Sequence, residues 1–361
     1  MTLRSVSLQA LGASGALVAW TLTELDLAES SGAGGRLVAL LALWAISYLT
    51  GFRAGQSLAK DPAKWRLPFI ASSLLVWAAA YLAGGGGWEL LAYVLASAGL
   101  GLYTAASTAV VFNVHSGDSW MFALARLRLL SGLAYTGWAG LALAARSHGL
   151  PLVSHVSLWA AGLLVLLAGY SFRRPAVPET ALAQLDRSVD ALAFGSPAPY
   201  VSMRGLASIA LLFSLGVMAR VLTLKAYRGV VGPFEVLALY AVSYTFGALL
   251  GTRIKSPGQV ALAGVAVAVL HALVPPGPVG GPVEISASVA FSALAETGLV
   301  LYVLYTAPLM LGRATLLATV AVALGSMASA GLIWAGVSYE LVLLAMALGS
   351  LAVQYRGPGW E

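Results

Sequence analysis

Glu296 is the residue of this sequence that most needs a chemical explanation. It stands in Ala293-Leu294-Ala295-Glu296-Thr297-Gly298, twelve residues into the apolar run 284–310. A carboxylate in the middle of a membrane helix costs about 2.5–3.5 kcal/mol on insertion scales, so it faces a cavity, finds a partner or is protonated. A group that can hold and release a proton at such a depth suits proton coupling. It also suits a purely structural bond to another helix. Arg220, in Gly216-Val217-Met218-Ala219-Arg220, lies toward one end of the run 205–226. Its guanidinium could meet Glu296, bind an anionic solute, or snorkel to the surface beside Lys225 and Arg228. Further polar groups within apolar runs are Thr21, Thr23 and Glu24; Tyr103, Thr104, Ser107 and Asn113; and Thr297, Tyr302, Tyr305 and Thr306. In a wet pocket such groups would hydrogen-bond a polar solute; elsewhere they tie helix to helix. Glu24 is close enough to the end of its run to be merely interfacial.

Other chemistries find no support in the sequence. There is no cysteine, which removes thiolate metal sites, iron–sulfur clusters and cysteine nucleophiles. The four histidines, His115, His148, His155 and His271, form no His-x-x-x-His or Glu-x-x-His pair, so no metal site is expected. His271 is expected at an interface. The run Gly84–Gly87 lacks a following Lys-Ser/Thr and does not make a phosphate loop, so the chain drives no transport by ATP on its own. No serine nucleophile with a paired base is evident. A non-enzyme without cofactors is the expectation.

Composition says what must position these groups. The chain has 361 residues, 60% hydrophobic and 9% charged, with 40 glycines and a mean hydropathy of +0.87. Soluble domains carry roughly a quarter charged residues, so soluble, disordered and disulfide-rich classes are excluded and a polytopic helical membrane protein remains. A crossing needs about 20 mostly apolar residues. Cutting at charged, Gly-rich and Pro-rich breaks gives runs 6–27, 37–59, 67–85, 89–113, 121–145, 152–172, 205–226, 233–252, 259–275, 284–310, 313–336 and 339–355. The twelve runs imply an all-α fold, since the strands of a barrel would be short and alternating.

Fifteen basic residues fall on one side of this topology, Arg53, Lys60, Lys64, Arg66, Arg126 and Arg128 among them, and five on the other. The positive-inside rule puts the richer side and both termini in the cytoplasm of a cell-membrane protein. The same bias accounts for the net charge of +6 without a nucleic-acid partner. Arg126 and Arg128 then anchor the start of the fifth run at anionic head groups, and Trp44, Trp65, Trp88, Trp120, Trp138 and Trp334 read as interfacial belt residues. The polar stretch 173–204, with Pro175, Pro178, Pro197 and Pro199, divides a half at 1–172 from a half at 205–361.

The halves echo each other. Ser47-Tyr48-x-x-Gly51-x-x-x-Gly55, followed by Lys60, matches Ser243-Tyr244-x-x-Gly247-x-x-x-Gly251, followed by Arg253 and Lys255, at an offset of 196 residues. Gly99 to Tyr103 matches Gly298 to Tyr302 at an offset of 199. Arg126 with Leu129-Leu130 weakly matches Arg313 with Leu316-Leu317. Small residues four apart let helices approach closely in lipid, where two bundles pack or rock.

Two pseudo-symmetric six-helix bundles, cytoplasmic termini, a long middle loop and glycine-plus-basic segments after the second and eighth runs resemble the major facilitator superfamily. The likeness in topology covers the whole chain; in motif it is partial. The family's signature loop reads Gly-x-x-x-Asp-Arg/Lys-x-Gly-Arg-Arg/Lys. Gly51 and Gly247 match its opening glycine, and Lys60, Lys64, Arg66, Arg253 and Lys255 its basic tail, while Gly55 and Gly251 stand where the aspartate belongs. A cytoplasmic latch made by that aspartate is therefore absent, or falls to Asp61. The fifth run carries Gly132, Gly137 and Gly140 but no proline, so the drug/proton antiporter signature is incomplete.

The resemblance implies a central cavity lined by runs 1, 4, 7 and 10, and transport by rocking the halves about a midplane site. It points to a secondary carrier of a small polar or anionic solute, with lipids around it and proton coupling through Glu296. Two other functions fit the same residues: a scaffold subunit of a larger membrane complex that no longer transports, and a lipid or hydrophobe flippase.

Overall fold

The computed structural model describes residues 3–30, 35–59, 64, 66–83, 87–114, 119–147, 153–170, 233–253, 257–274, 277–306, 324–325, 327–328 and 331–355. These residues form helices and turns, with no strand among them. In chain order the helices are α1 (Leu3–Ser30), α2 (Gly35–Ala59), α3 (Leu67–Ala83), α4 (Glu89–Val114), α5 (Ser119–Ser147), α6 (Val153–Tyr170), α7 (Pro233–Gly251), α8 (Pro257–Leu273), α9 (Gly280–Thr306) and α10 (Tyr339–Tyr355). Each overlies one of the apolar runs and ends within a few residues of it. The run 205–226 lies outside the described residues, as do the connector 173–204 and most of 313–336.

Local chemistry explains several ends. Pro233 and Pro257 open α7 and α8, where a ring without an N–H removes a donor that has no partner in a first turn. Gly87 enters α4 at φ +98°, a left-handed conformation that a side chain resists. Its N–H donates to Glu89 Oε1 at 3.1 Å, holding a carboxylate at the positive end of α4.

The chain divides into two compact units. One contains α1, α3 to α6, α2 from Ile46 and α7 up to Thr245; the other contains residues 32–45, α7 from Phe246, and α8, α9 and α10. In the first unit α1 packs on α4, α5 and α6, and α3 on α4 and α6. In the second, α8 packs on α9 and α10.

Large apolar side chains face outward as well as inward, and polar groups lie among the buried ones. Leu74, Tyr81, Leu133, Leu141, Leu163, Leu262 and Leu341 point outward, while Gln9, Ser72, Ser73, Ser97, Glu284 and Ser288 are buried. Leucine gains nothing by leaving lipid, so packing and hydrogen bonds hold membrane helices together. The segment Glu89–Ser107 is long and apolar enough to cross a membrane, at a mean hydropathy of 1.5; Leu67–Ala83, Leu158–Tyr170, Glu235–Gly251 and Gly258–Leu273 are shorter apolar stretches.

Two adjacent serines of α3 hold its two neighbours. Ser72 Oγ donates to Gly99 O of α4 and Ser73 Oγ to Gly162 O of α6, each at 2.7 Å. Tyr103 of α4 closes the opposite corner. Its hydroxyl donates to Gln9 O of α1 at 2.5 Å, its ring meets Phe69 edge-on at 5.5 Å, and Gln9 Nε2 continues to Ala168 O of α6 at 2.9 Å. Gly12 makes room for that hydroxyl, since a Cβ there would stand 2.6 Å from it. Tyr103→Phe removes a buried donor and leaves the rest in place. The expected cost is about 1 kcal/mol, seen as a lower thermal unfolding midpoint in detergent; an unchanged midpoint would show that the hydroxyl carries no stability.

The repeat is visible in backbone contacts. A Cβ on Gly51 would run into the carbonyl of Ala98, and a Cβ on Gly247 into the carbonyl of Ala290. Gly55 sits against Leu102 and Ala105, Gly251 against Leu294 and Thr297. The contacts of α2 on α4 therefore correspond to those of α7 on α9 with α4 and α9 offset by 192 residues (Ala98 to Ala290, Leu102 to Leu294, Ala105 to Thr297). The sequence match of Gly99–Tyr103 with Gly298–Tyr302 is seven residues out of register and is corrected by these contacts. In the true register Thr104 is the counterpart of Glu296.

Candidate functional site

A string of polar side chains runs through the first unit from α1 across α5 to α7. Thr21 Oγ1 of α1 and Tyr135 Oη of α5 share a hydrogen bond of 2.7 Å. The Tyr135 ring meets the Tyr244 ring of α7 at 6.2 Å and 85°, edge to face. Tyr244 Oη accepts a hydrogen bond from Arg128 Nη1 of α5 at 3.1 Å. One turn along α5 from Tyr135's neighbours, Gly132 lets α7 approach: a Cβ there would stand 2.7 Å from Thr245 Oγ1. Thr245 in turn lies 3.1 Å from Thr136 Oγ1. Glu24 lies one turn beyond Thr21 on α1 and is only 4% exposed.

Spacing on the helices brings these groups together. Arg128, Ser131, Gly132 and Tyr135 fall at intervals of three and four, one stripe of α5. Arg128 lies nine residues past Ser119, about 14 Å along the axis at ~1.5 Å per residue. It is half-buried, so it is not the head-group anchor expected from its place near a run boundary; Arg126, two residues earlier, is exposed. The arrangement gathers a guanidinium with tyrosine and threonine hydroxyls, groups able to give and accept hydrogen bonds.

In the second unit Glu296 is half-buried on α9, beside Thr297, whose Cβ is the atom a side chain on Gly251 would strike, at 2.6 Å. Glu296 thus stands one residue before a close contact of α9 with α7.

The other sequence-derived candidates are placed as follows. Tyr103 is buried in the α1–α3–α4 corner described above. Thr104 is half-buried, and Ser107 is buried with its hydroxyl on Thr104 O at 3.2 Å. Thr23 is turned back on its own helix, bonded to Ala19 O and Trp20 O. Gly51, Gly55, Gly247 and Gly251 are buried helix contacts, and Arg253 is exposed in the turn after α7. Asn113 belongs to α4, and Tyr302, Tyr305 and Thr306 to α9, with side chains outside the described set. Arg220, Lys60, Asp61 and Lys255 lie outside the described residues. Trp44 is buried at 4% exposure and is no belt residue, whereas Trp88 and Trp334 are exposed. No group of three metal-ligating side chains occurs among the described residues.

The fold as a whole is similar to solved structures. The human organic anion transporter MFSD10 (TETRAN) matches 98% of this chain over 98% of its own length, at 15% identity and a TM-score of 0.57. The xylose transporter XylE from E. coli, in a partially occluded inward-open conformation, matches 98% of this chain over 96% of its own, at 12% identity and a TM-score of 0.60. Both are major facilitator superfamily transporters. The chain has the major facilitator fold. No family model matches the sequence, and no curated protein matches it.

Within the major facilitator fold the unusual glycines now have a cause. A Cβ on Gly55 would stand 2.8 Å from Leu102 O, and one on Gly251 would meet Thr297. An aspartate at either place has no room, because the neighbouring helix already occupies it.

Proposed function

We propose that this chain is a secondary active transporter of a small polar or anionic solute, working by alternating access in the cell membrane with both termini cytoplasmic. The observation that carries this reading is the string Thr21–Tyr135–Tyr244–Arg128. A charged side chain such as Arg128 is costly inside a lipid-facing bundle, and such residues mark solute or ion pathways. The likeness to solute transporters along nearly the whole chain supports the same reading. In it, the halves at 1–172 and 205–361 rock about a midplane site, 173–204 connects them, and Glu296 couples the cycle to protons. Arg220 and Tyr302 join the cavity lining from runs 7 and 10.

The test is uptake into proteoliposomes, with sugars and small carboxylates offered under an imposed proton gradient. At least one solute should accumulate above protein-free vesicles and raise the thermal midpoint of the detergent-purified chain. Tyr135→Phe, which takes the hydroxyl away from Thr21, is expected to lower that uptake about threefold to tenfold while the protein stays folded. Absence of uptake for every solute, together with lipid scrambling or with a partner protein recovered in fixed ratio, would replace this reading by a flippase or a scaffold.

A further inference from the structure

The second unit contains a buried trio of side chains that the transport reading does not use. His271 Nε2 of α8 lies 2.8 Å from Ser288 Oγ of α9, and His271 Nδ1 lies 3.4 Å from Glu284 Oε2. All three are buried, His271 at 4% exposure, Glu284 at 2% and Ser288 at 0%. Glu284 and Ser288 are four apart on α9 and so present one face to the ring. His271 stands in the last turn of α8, where the carbonyl end of a helix makes a negative potential. Glu284 is one turn inside α9, where the amide end makes a positive one. An imidazole expected at an interface is instead enclosed between a carboxylate and a hydroxyl.

We propose that His271, Glu284 and Ser288 form a proton-binding site in the second unit, separate from Glu296. Nδ1 stands within ion-pair reach of the Glu284 carboxylate, 3.4 Å away, and at Nε2 the Ser288 hydroxyl can serve the ring in either protonation state. With the ring neutral, Nδ1–H faces the Glu284 carboxylate and Nε2 accepts from the Ser288 hydroxyl. When a proton arrives from solution, Nε2–H donates to Ser288 Oγ and the hydroxyl hydrogen turns away. The serine hydroxyl can both give and accept, so it follows the ring without setting whether the ring titrates. α8 has no second titratable side chain. Those of α9 are Glu296, Tyr302 and Tyr305, about two or more turns beyond Ser288. Those of α10, packed on α8, are Tyr339, Glu340 and Tyr355, at the two ends of that helix. The part of α7 that packs on α9 has none.

The test is nitrogen-15 NMR of the full-length chain labelled at histidine, in detergent micelles, from about pH 4 to about pH 9, the range that brackets histidine titration. His271→Asn assigns the signal by removing it. The expected result is a reversible passage of that signal between neutral and imidazolium forms. Its midpoint should move by about 0.5 unit or more in Glu284→Gln, roughly a threefold change in proton affinity. Ser288→Ala, which keeps the charge pair, should preserve the titration and alter the Nε2 shift alone. A His271 signal fixed in one form throughout, or indifferent to both substitutions, would overturn the proposal. Should Glu284→Gln not fold, the wild-type and Ser288→Ala titrations decide. No solute is needed, so failure here leaves the transport reading untouched.

Discussion

Gly51→Ala and Gly247→Ala are each expected to destabilise the protein, by about 1–3 kcal/mol or more. In an exposed helix the same change would stabilise, since glycine in a helix interior is worse than alanine by about 0.5–1 kcal/mol. At these two positions the added methyl runs into a backbone carbonyl, Ala98 O in one case and Ala290 O in the other. A carbonyl in a helix cannot swing aside as a side-chain tip does, so two helices must part. Overpacking of a close-packed core costs about 1–3 kcal/mol, occasionally more. The lost contact is the main kind of attraction available between helices in lipid. Gly137 and Gly140 of α5 supply the control, for nothing lies within 4 Å of a Cβ at either. Gly137→Ala and Gly140→Ala should be neutral or mildly stabilising. The measurement is the folded fraction after heating, read by size exclusion in detergent. Equal midpoints for all four variants would contradict the close approach of α2 to α4 and of α7 to α9.

Glu296→Gln is expected to reduce gradient-driven uptake at least tenfold while the thermal midpoint stays close to that of the parent. Glutamine has nearly the shape of glutamate and can keep its hydrogen bonds, but it cannot take up and release a proton. The effect therefore separates coupling from structure. Glu296 is half-buried and sits one residue before Thr297, at the tight contact with Gly251, so a change of its charge acts where α7 and α9 are held together. Counterflow of solute without a gradient should survive in the variant if the carboxylate serves only the proton. Uptake at the parent rate under a gradient would remove the coupling role and leave Glu296 a structural acid.

Much of the architecture could be read before any coordinates. The helix ends were legible because the breaks are strong: Pro233 and Pro257 open helices, and Gly87 turns into α4. The glycine pairs of α2 and α7 were also legible, since a basic cluster after each fixes their place. The site was less so. Arg128 looked like a boundary residue because it lies close to Arg126, yet being seven residues inside an apolar run was a sign of its depth. Tyr103 looked like a cavity residue; nothing in its neighbours along the chain announces Gln9, which is 94 positions away. His271 and Glu284, 13 residues apart with a proline-rich turn between them, met only when α8 and α9 folded against each other.

The sequence by itself determined that this chain is a bundle of apolar helices built from a repeat, because hydropathy and helix breakers are properties of consecutive residues. It did not determine how the repeated helices are registered. A shift of seven residues returns a helix to within about 20° of the same face, so the match of Gly99–Tyr103 to Gly298–Tyr302, closer in letters than the match to Phe291–Ala295, also kept nearly the same helix face. Only tertiary structure decided that register, where the bare backbones at Gly51 and Gly247 rest on the carbonyls of Ala98 and Ala290. It likewise decided which of the many inward hydroxyls meet one another, since hydrogen bonds between helices depend on depth and rotation that no single helix encodes.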